Sequence, residues 1–150
     1  MKKIIVSLLA SLVLCGIASA QDNAAGIRIG ALKGFGVEAS YQHYFGDINR
    51  AQADLGVRFY HHSVAATLNG SYQWHWFLTG GLGVYGGPDL QLALSGGRYF
   101  NLGLGGIIGV DYQFDVPIQL SLDFRPTWNF FYGILHGFDP YIGLGVRYAF

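Results

Sequence analysis

Tyr141-Ile142-Gly143-Leu144-Gly145-Val146-Arg147-Tyr148-Ala149-Phe150 is the stretch whose reading decides the fold. Its even positions, Ile142, Leu144, Val146, Tyr148 and Phe150, are all apolar. Its odd positions include Gly143, Gly145, Arg147 and Ala149, which are small or charged. Successive side chains of a strand point to opposite faces, so this segment reads as a strand with one apolar face and one face of small groups and a guanidinium. Residues 117–128 repeat the pattern most cleanly, with Ile118, Leu120, Leu122 and Phe124 alternating with Gln119, Ser121, Asp123 and Arg125.

Six further runs alternate in the same way, over 25–32, 36–44, 53–62, 64–74, 76–85 and 101–114. Half the chain is hydrophobic, 16% is aromatic and only 12% is charged, yet beyond the first twenty residues no apolar run is long enough for a membrane helix. Apolar residues dispersed by alternation in a hydropathic chain are the pattern of a strand-built membrane protein, and eight is the smallest, even, strand number for a bacterial one. The predicted fold is all-β: an eight-stranded antiparallel transmembrane up-and-down β-barrel. Lipid offers no hydrogen-bond partner to an open edge, so the sheet must close. An even strand number puts both termini on one side, expected to be periplasmic. The expected connections on that side are 45–52, 74–76 and 115–117. Those on the outer side are 33–35, 62–63, 86–100 and 129–139.

Energy decides which face meets lipid. The mixed face carries Arg28, Glu38, Asp54, Arg58, Asp111, Asp123, Arg125 and Arg147. An arginine facing lipid at mid-depth costs ~2–4 kcal/mol, so this face is assigned to the interior. Its four basic and four acidic residues balance and are expected to pair as a lumen charge network. Most strand glycines share this face and make room for long arginines. The apolar face ends in Tyr72, Trp74, Trp76, Tyr112, Phe114, Tyr148 and Phe150, an expected aromatic girdle at the periplasmic interface. A soluble barrel of eight strands would invert this pattern, with an apolar interior.

The N-terminus agrees on compartment. Met1-Lys2-Lys3 is basic, an apolar run follows to Ile17, and Ala18-Ser19-Ala20 is a small-residue cleavage site. Residues 1–20 read as a secretory signal peptide and 21–150 as one barrel domain. The lone cysteine, Cys15, leaves with the signal; Leu14 occupies a position where a lipidation site needs a small residue. Without Lys2 and Lys3 the chain has seven basic and nine acidic residues, which gives no basic field for nucleic acid.

The whole mature chain resembles the small eight-stranded, porin-like outer-membrane barrels of the OmpA/OmpX type. The segments 105–114, 117–126 and 145–150 carry the resemblance most specifically. It implies residence in the outer membrane of a Gram-negative bacterium, among outer-membrane lipid and lipopolysaccharide. It also implies that the terminal Phe150 is part of the signal read by the outer-membrane insertion machinery. From a lumen only wide enough for side chains and crossed by paired charges, the expected role is structural or surface-interacting, by a monomer with a plugged, salt-bridged lumen, without catalysis or cofactor. Loops 86–100 and 129–139 are the expected contact surface for an extracellular ligand; the second contains the apolar run Phe130-Phe131-Tyr132-Gly133-Ile134-Leu135.

One enzymatic alternative comes from Arg58-Phe59-Tyr60-His61-His62-Ser63, which resembles the histidine and serine of outer-membrane lipid A deacylases. In that reading His61 is the general base and Ser63 the nucleophile on an acyl ester. Three departures weigh against it. Ser63 falls at a turn, no carboxylate follows to orient the histidine, and the pair lies mid-chain. A metal site is not expected either. His61 and His62 fall at the outer end, His75 and His43 at the other, and neither these nor His136 has a carboxylate or thiol at ligand spacing.

Overall fold

The computed structural model describes residues 22–60, 62–95, 99–131 and 137–150. The predicted signal peptide, His61 and His136 lie outside the described residues. Eight strands follow one another: β1 (Asn23–Leu32), β2 (Phe35–Tyr44), β3 (Asn49–Tyr60), β4 (Ser63–Thr79), β5 (Leu82–Ser95), β6 (Tyr99–Gln113), β7 (Ile118–Asn129) and β8 (Gly137–Ala149). Each pairs antiparallel with the next, and β1 pairs with β8, which closes the barrel. The closing ladder runs from Ala24 opposite Ala149 to Leu32 opposite Tyr141. Asn23 and Phe150 complete it by exchanging backbone hydrogen bonds of 3.0 and 2.8 Å. Among the described residues no helix is long and apolar enough to cross a membrane, which says nothing of strands that do.

Alternation determines what each side of the wall contains. Along β7, Gln119, Ser121, Asp123 and Arg125 are buried, while Ile118, Leu120, Leu122 and Phe124 are exposed. β8 follows the same parity, with Tyr141 and Arg147 inward and Ile142, Leu144, Val146 and Tyr148 outward. The interior is therefore polar and the outer surface apolar, the reverse of a water-soluble barrel.

The structure moves four of the expected connections. The expected connection at 74–76 is strand: β4 continues to Thr79, with Trp74 and Trp76 outward and His75 fully buried between them. The turn is Gly80-Gly81, where Gly80 takes the left-handed φ of +52° that glycine adopts without strain. The expected outer loop 86–100 is mostly strand too, since β5 runs to Ser95 and β6 resumes at Tyr99. Gly86-Gly87-Pro88 reads as a loop, but here it lies within β5, with Gly86 opposite Trp74 and Pro88 opposite Gly106. Gly87 is needed because a Cβ there would overlap the Tyr72 carbonyl oxygen. At the other expected connections, 45–52 shortens to 45–48, because β3 begins at Asn49, and 129–139 shortens to 130–136, because β7 ends at Asn129 and β8 begins at Gly137.

Interior glycines set the space for the long side chains. A Cβ at Gly143 would overlap the Arg28 guanidinium, and one at Gly109 would come within 2.6 Å of the Tyr85 ring. Outward Gly70 has nothing within 4 Å of its Cβ position. Gly143→Val should displace Arg28 from its ion partners and lower barrel stability by about 3–5 kcal/mol. Gly70→Val should stay within about 0.5 kcal/mol of the parent. Urea midpoints of the two variants, folded in the same lipid, check this; equal midpoints would remove the packing role assigned to Gly143.

Candidate functional site: the charged interior

Five arginines (Arg28, Arg50, Arg58, Arg125 and Arg147) and six carboxylates (Glu38, Asp54, Asp89, Asp111, Asp123 and Asp139) are buried inside the barrel. Every one lies on the inward parity of its strand. The eight charged residues expected in the lumen are all among them. Arg50, Asp89 and Asp139 are additional, because the sequence reading put them in connections. The same parity would have found them. Arg50 is in phase with Asp54 and Arg58, Asp89 with Gln91, and Asp139 with Tyr141 and Arg147.

Arg28 and Arg125 form the centre. Arg28 donates from Nη1 to Glu38 Oε2 at 2.6 Å, and from Nε and Nη2 to the two oxygens of Asp123. This fork geometry is the strongest arrangement a guanidinium and carboxylate adopt. Tyr85 adds a hydroxyl donor to Asp123 at 3.1 Å. Arg125 donates from Nη2 to Asp54 Oδ2 at 2.6 Å, and ion pairs of 3.9 and 3.4 Å link it to Glu38 and Asp89. Glu38 is thus shared by both arginines. Asp89 differs from its neighbours: among the described residues, neither of its oxygens accepts a hydrogen bond from another protein group.

Toward the end that carries the termini, Arg50 donates to Gln73 at 2.7 Å, to the Tyr44 hydroxyl at 2.9 Å and to Asp111 at 2.8 Å. His75 donates from Nε2 to the other Asp111 oxygen at 2.8 Å. An amide relay of Gln42, Gln52 and Gln73 connects this group to Asp54. Arg147 has hydroxyl partners, Ser40 at 2.8 Å and Ser121 at 2.7 Å. Toward the opposite end, Arg58 pairs with Asp139 and stacks on the Tyr141 ring at 3.9 Å. Sequence reasoning missed the roles of Tyr85 and Tyr141, two inward aromatics that cover guanidinium faces.

On the outer surface, Tyr72, Trp74, Trp76, Tyr112, Phe114 and Tyr148 are exposed, and Phe150 is half-buried. Tyr72 packs edge-on to Trp74, Tyr112 edge-on to Phe114, and Tyr148 stacks with Phe150. At the opposite end, Tyr99, Phe100, Phe130, Phe131 and Phe138 are exposed. Asn101 anchors the start of that connection, donating to the Phe131 carbonyl at 3.1 Å and accepting from its N–H at 3.2 Å. Ser63 is half-buried at the first position of β4, opposite Tyr60. His61 lies outside the described residues, so no geometry relates the pair. Among the described residues, no group of three histidine, cysteine or acidic side chains is arranged to hold a metal ion.

Solved structures share this architecture. Neisserial surface protein A is similar with a TM-score of 0.62 and 18% identity, over 85% of this chain and 94% of that one. A structure from the de novo design of transmembrane β-barrels is similar with a TM-score of 0.61 and 11% identity, over 89% of this chain and 98% of that one. At these identities the likeness is one of fold. No protein-family model and no curated protein matches the sequence. The expected resemblance therefore holds for the eight-stranded barrel, without assignment to the OmpA/OmpX type.

The pairing geometry ranks the interior residues. Arg125→Met leaves Asp54 and Asp89 without their guanidinium and should cost about 3–5 kcal/mol. Lys33→Met, at an exposed lysine that donates to the Phe138 carbonyl, should cost no more than about 1 kcal/mol. Among the acids, Asp123→Asn should likewise cost about 3 kcal/mol or more, and Asp89→Asn about 1 kcal/mol or less. Urea unfolding of the four variants in one detergent gives the order. A loss at Asp89 equal to that at Asp123 would contradict the pairing described here.

Proposed function

We propose that the chain is an integral outer-membrane β-barrel with a plugged, salt-bridged lumen, and that its role is structural or surface-interacting without catalysis. The observation that carries this reading is the inversion of the wall: five arginines and six carboxylates inside, and Ile, Leu, Val, Phe and Trp side chains exposed on every strand outside. In water that outer surface would aggregate; in lipid it is matched. An eight-stranded interior is just wide enough to be filled by side chains, and these are tied to one another across it, which supports a lumen closed to solutes.

The girdle of Tyr72, Trp74, Trp76, Tyr112, Phe114 and Tyr148 would then lie at the periplasmic headgroups, on the side of both termini. The opposite end would face the cell exterior, where lipopolysaccharide lies. Its exposed aromatics, Tyr99, Phe100, Phe130, Phe131 and Phe138, support a role in contact with lipid or an extracellular partner. Phe150, held to Asn23, would serve the insertion machinery before the barrel closes.

Placement in the envelope can be tested directly. The full chain expressed in a Gram-negative host should fractionate with the outer membrane and run as a compact band on gels unless boiled. Leu122→Arg, on the outer face in mid-strand, should lose about 2–4 kcal/mol of stability in lipid. Reconstituted in planar bilayers, the parent should give no steady ion current. Recovery in the soluble fraction, or tolerance of Leu122→Arg, would sink the membrane reading; a stable open channel would sink the plugged lumen.

A further inference from the structure

Two interruptions in the strand ladders fall at one level of the wall. Between Ser71 opposite Asp89 and Trp74 opposite Gly86, Tyr72 and Gln73 have no partner on β5. Between Gly105 opposite Thr127 and Ile108 opposite Phe124, Gly106 and Ile107 have no partner on β7. Each gap contains a proline, Pro88 in β5 and Pro126 in β7, and proline has no N–H to give to a ladder. Pro88 is directly opposite Gly106, so the two gaps flank one hairpin at the same height. Within that hairpin, β5 and β6 stay paired without a break from Leu82 opposite Tyr112 to Ser95 opposite Tyr99. The hairpin is continuous in itself and attached less completely to both of its neighbours.

The interior behind the outer part of this hairpin holds polar groups without partners. Every polar side-chain atom of Thr67, Asp89, Gln91, Thr127 and Asn129 is buried and, among the described residues, makes no hydrogen bond. Asp89 has an ion pair of 3.4 Å with Arg125 and nothing more. These side chains are neighbours on the wall. Gln91 is opposite Gly103, Gly103 is opposite Asn129, and Gly105 lies between Asp89 and Thr127. The other half of the interior differs, since Gln52 and Gln73 bond to each other, to Asp54 and to Ser71. A buried polar group without a partner costs free energy that water would return. With the wall shut these atoms have no surface open to water, so only movement of the wall can hydrate them.

We propose that the outer part of the hairpin, β5 from Asp89 to Ser95 with β6 from Tyr99 to Gly105, is a flap that swings from the wall about the Pro88–Gly106 level. Opening breaks the ladders to β4 and β7 beyond two places where a bond is already missing, and it returns water to five side chains. Its outward residues Leu90, Leu94 and Leu104 are exposed, so outward movement separates no packed core. Both terms favour local opening here over opening elsewhere in the wall. The space uncovered is blind. Arg28 still spans the interior to Glu38 and Asp123, and the glutamine relay still fills the half beyond it. The flap therefore goes beyond a plugged lumen without making it a channel. It rests on the ladders and the interior contacts alone, whichever membrane holds the barrel.

Thiol labelling of the full chain with Cys15→Ala, folded in detergent, tests the flap. One cysteine is placed on β7, by Thr127→Cys behind the flap or by Ser121→Cys in the other half; both positions are buried and both substitutions conserve size. A small water-soluble methanethiosulfonate is added without denaturant, and each rate is divided by that of the same variant unfolded in urea. Thr127→Cys should label about tenfold faster than Ser121→Cys, or more. Pro88→Ala, which returns an N–H to the gap beside β4, should slow labelling at Thr127→Cys about threefold or more. Equal rates at the two cysteines would overturn the proposal. So would a Thr127→Cys rate that Pro88→Ala leaves unchanged, because the reagent would then be entering by the mouth of the barrel. Should a variant fail to fold, hydrogen exchange in the parent decides. The amides of Leu90–Leu94 should exchange about tenfold faster than those of Ile142–Val146, and equal exchange would remove the flap.

Discussion

Five guanidinium groups and six carboxylates share an interior that only eight strands enclose. An ion taken out of water loses several kcal/mol of hydration, and an ion without a partner has no way to recover it. Most other features of the chain are arranged around that constraint. Most inward positions that do not carry charge carry glutamine, asparagine, serine or threonine to complete the hydrogen bonding, or glycine and alanine to leave room, and His75, Tyr85 and Tyr141 fill the space between them. Arg28 spans β1, β2 and β7 through Glu38 and Asp123. Arg125 joins β7 to β3 and β5 through Asp54 and Asp89. The interior is cross-braced by these pairs, where a water-soluble barrel relies on apolar packing.

The same alternation that gathers charge inside releases apolar side chains to the outside, so core and surface cannot be chosen independently. Moving any strand by one residue would exchange the two sets, putting arginine on the apolar outer surface and pressing leucine against carboxylates. Register is thereby specified twice, once by each face. This double specification accounts for the continuous antiparallel ladders of β2 with β3 and of β7 with β8, which run without a shift over their whole paired length. Only β4 with β5 shifts register, between Phe77 and Thr79, next to the glycine turn and beyond the last buried residue of β4.

Much of this was legible in the sequence because period two is a strong signal wherever it is uninterrupted. β7 was read to within a residue at each end, β8 was read from Tyr141 although it begins at Gly137, and eight of the eleven inward charges followed from parity. The reading failed where local chemistry masked the period. Gly86-Gly87-Pro88 has the composition of a loop, but within a closed sheet the glycines fit close backbone approaches, and the proline costs one donor in a strand of fourteen residues. Treating that segment as a loop removed Asp89 and Gln91 from the interior and pushed a turn back onto His75. The aromatic cover of the guanidinium groups was not legible at all. Tyr85 and Tyr141 lie on the inward parity, but nothing local distinguishes an inward tyrosine from an interfacial one until the opposite wall is known.

The seam between β1 and β8 has a mechanical consequence. Arg28 stands on β1, and its bidentate partner Asp123 stands on β7, across β8 from it. Peeling β1 from β8 would break the ladder and, in the same movement, strip a buried guanidinium of a carboxylate. The two losses fall together, so lateral opening has no inexpensive first step and the barrier to it is steep. A barrel built in this way is held shut kinetically as well as by its equilibrium stability. Its lifetime under stress is set by the ion pair that spans the joint together with the backbone ladder along it.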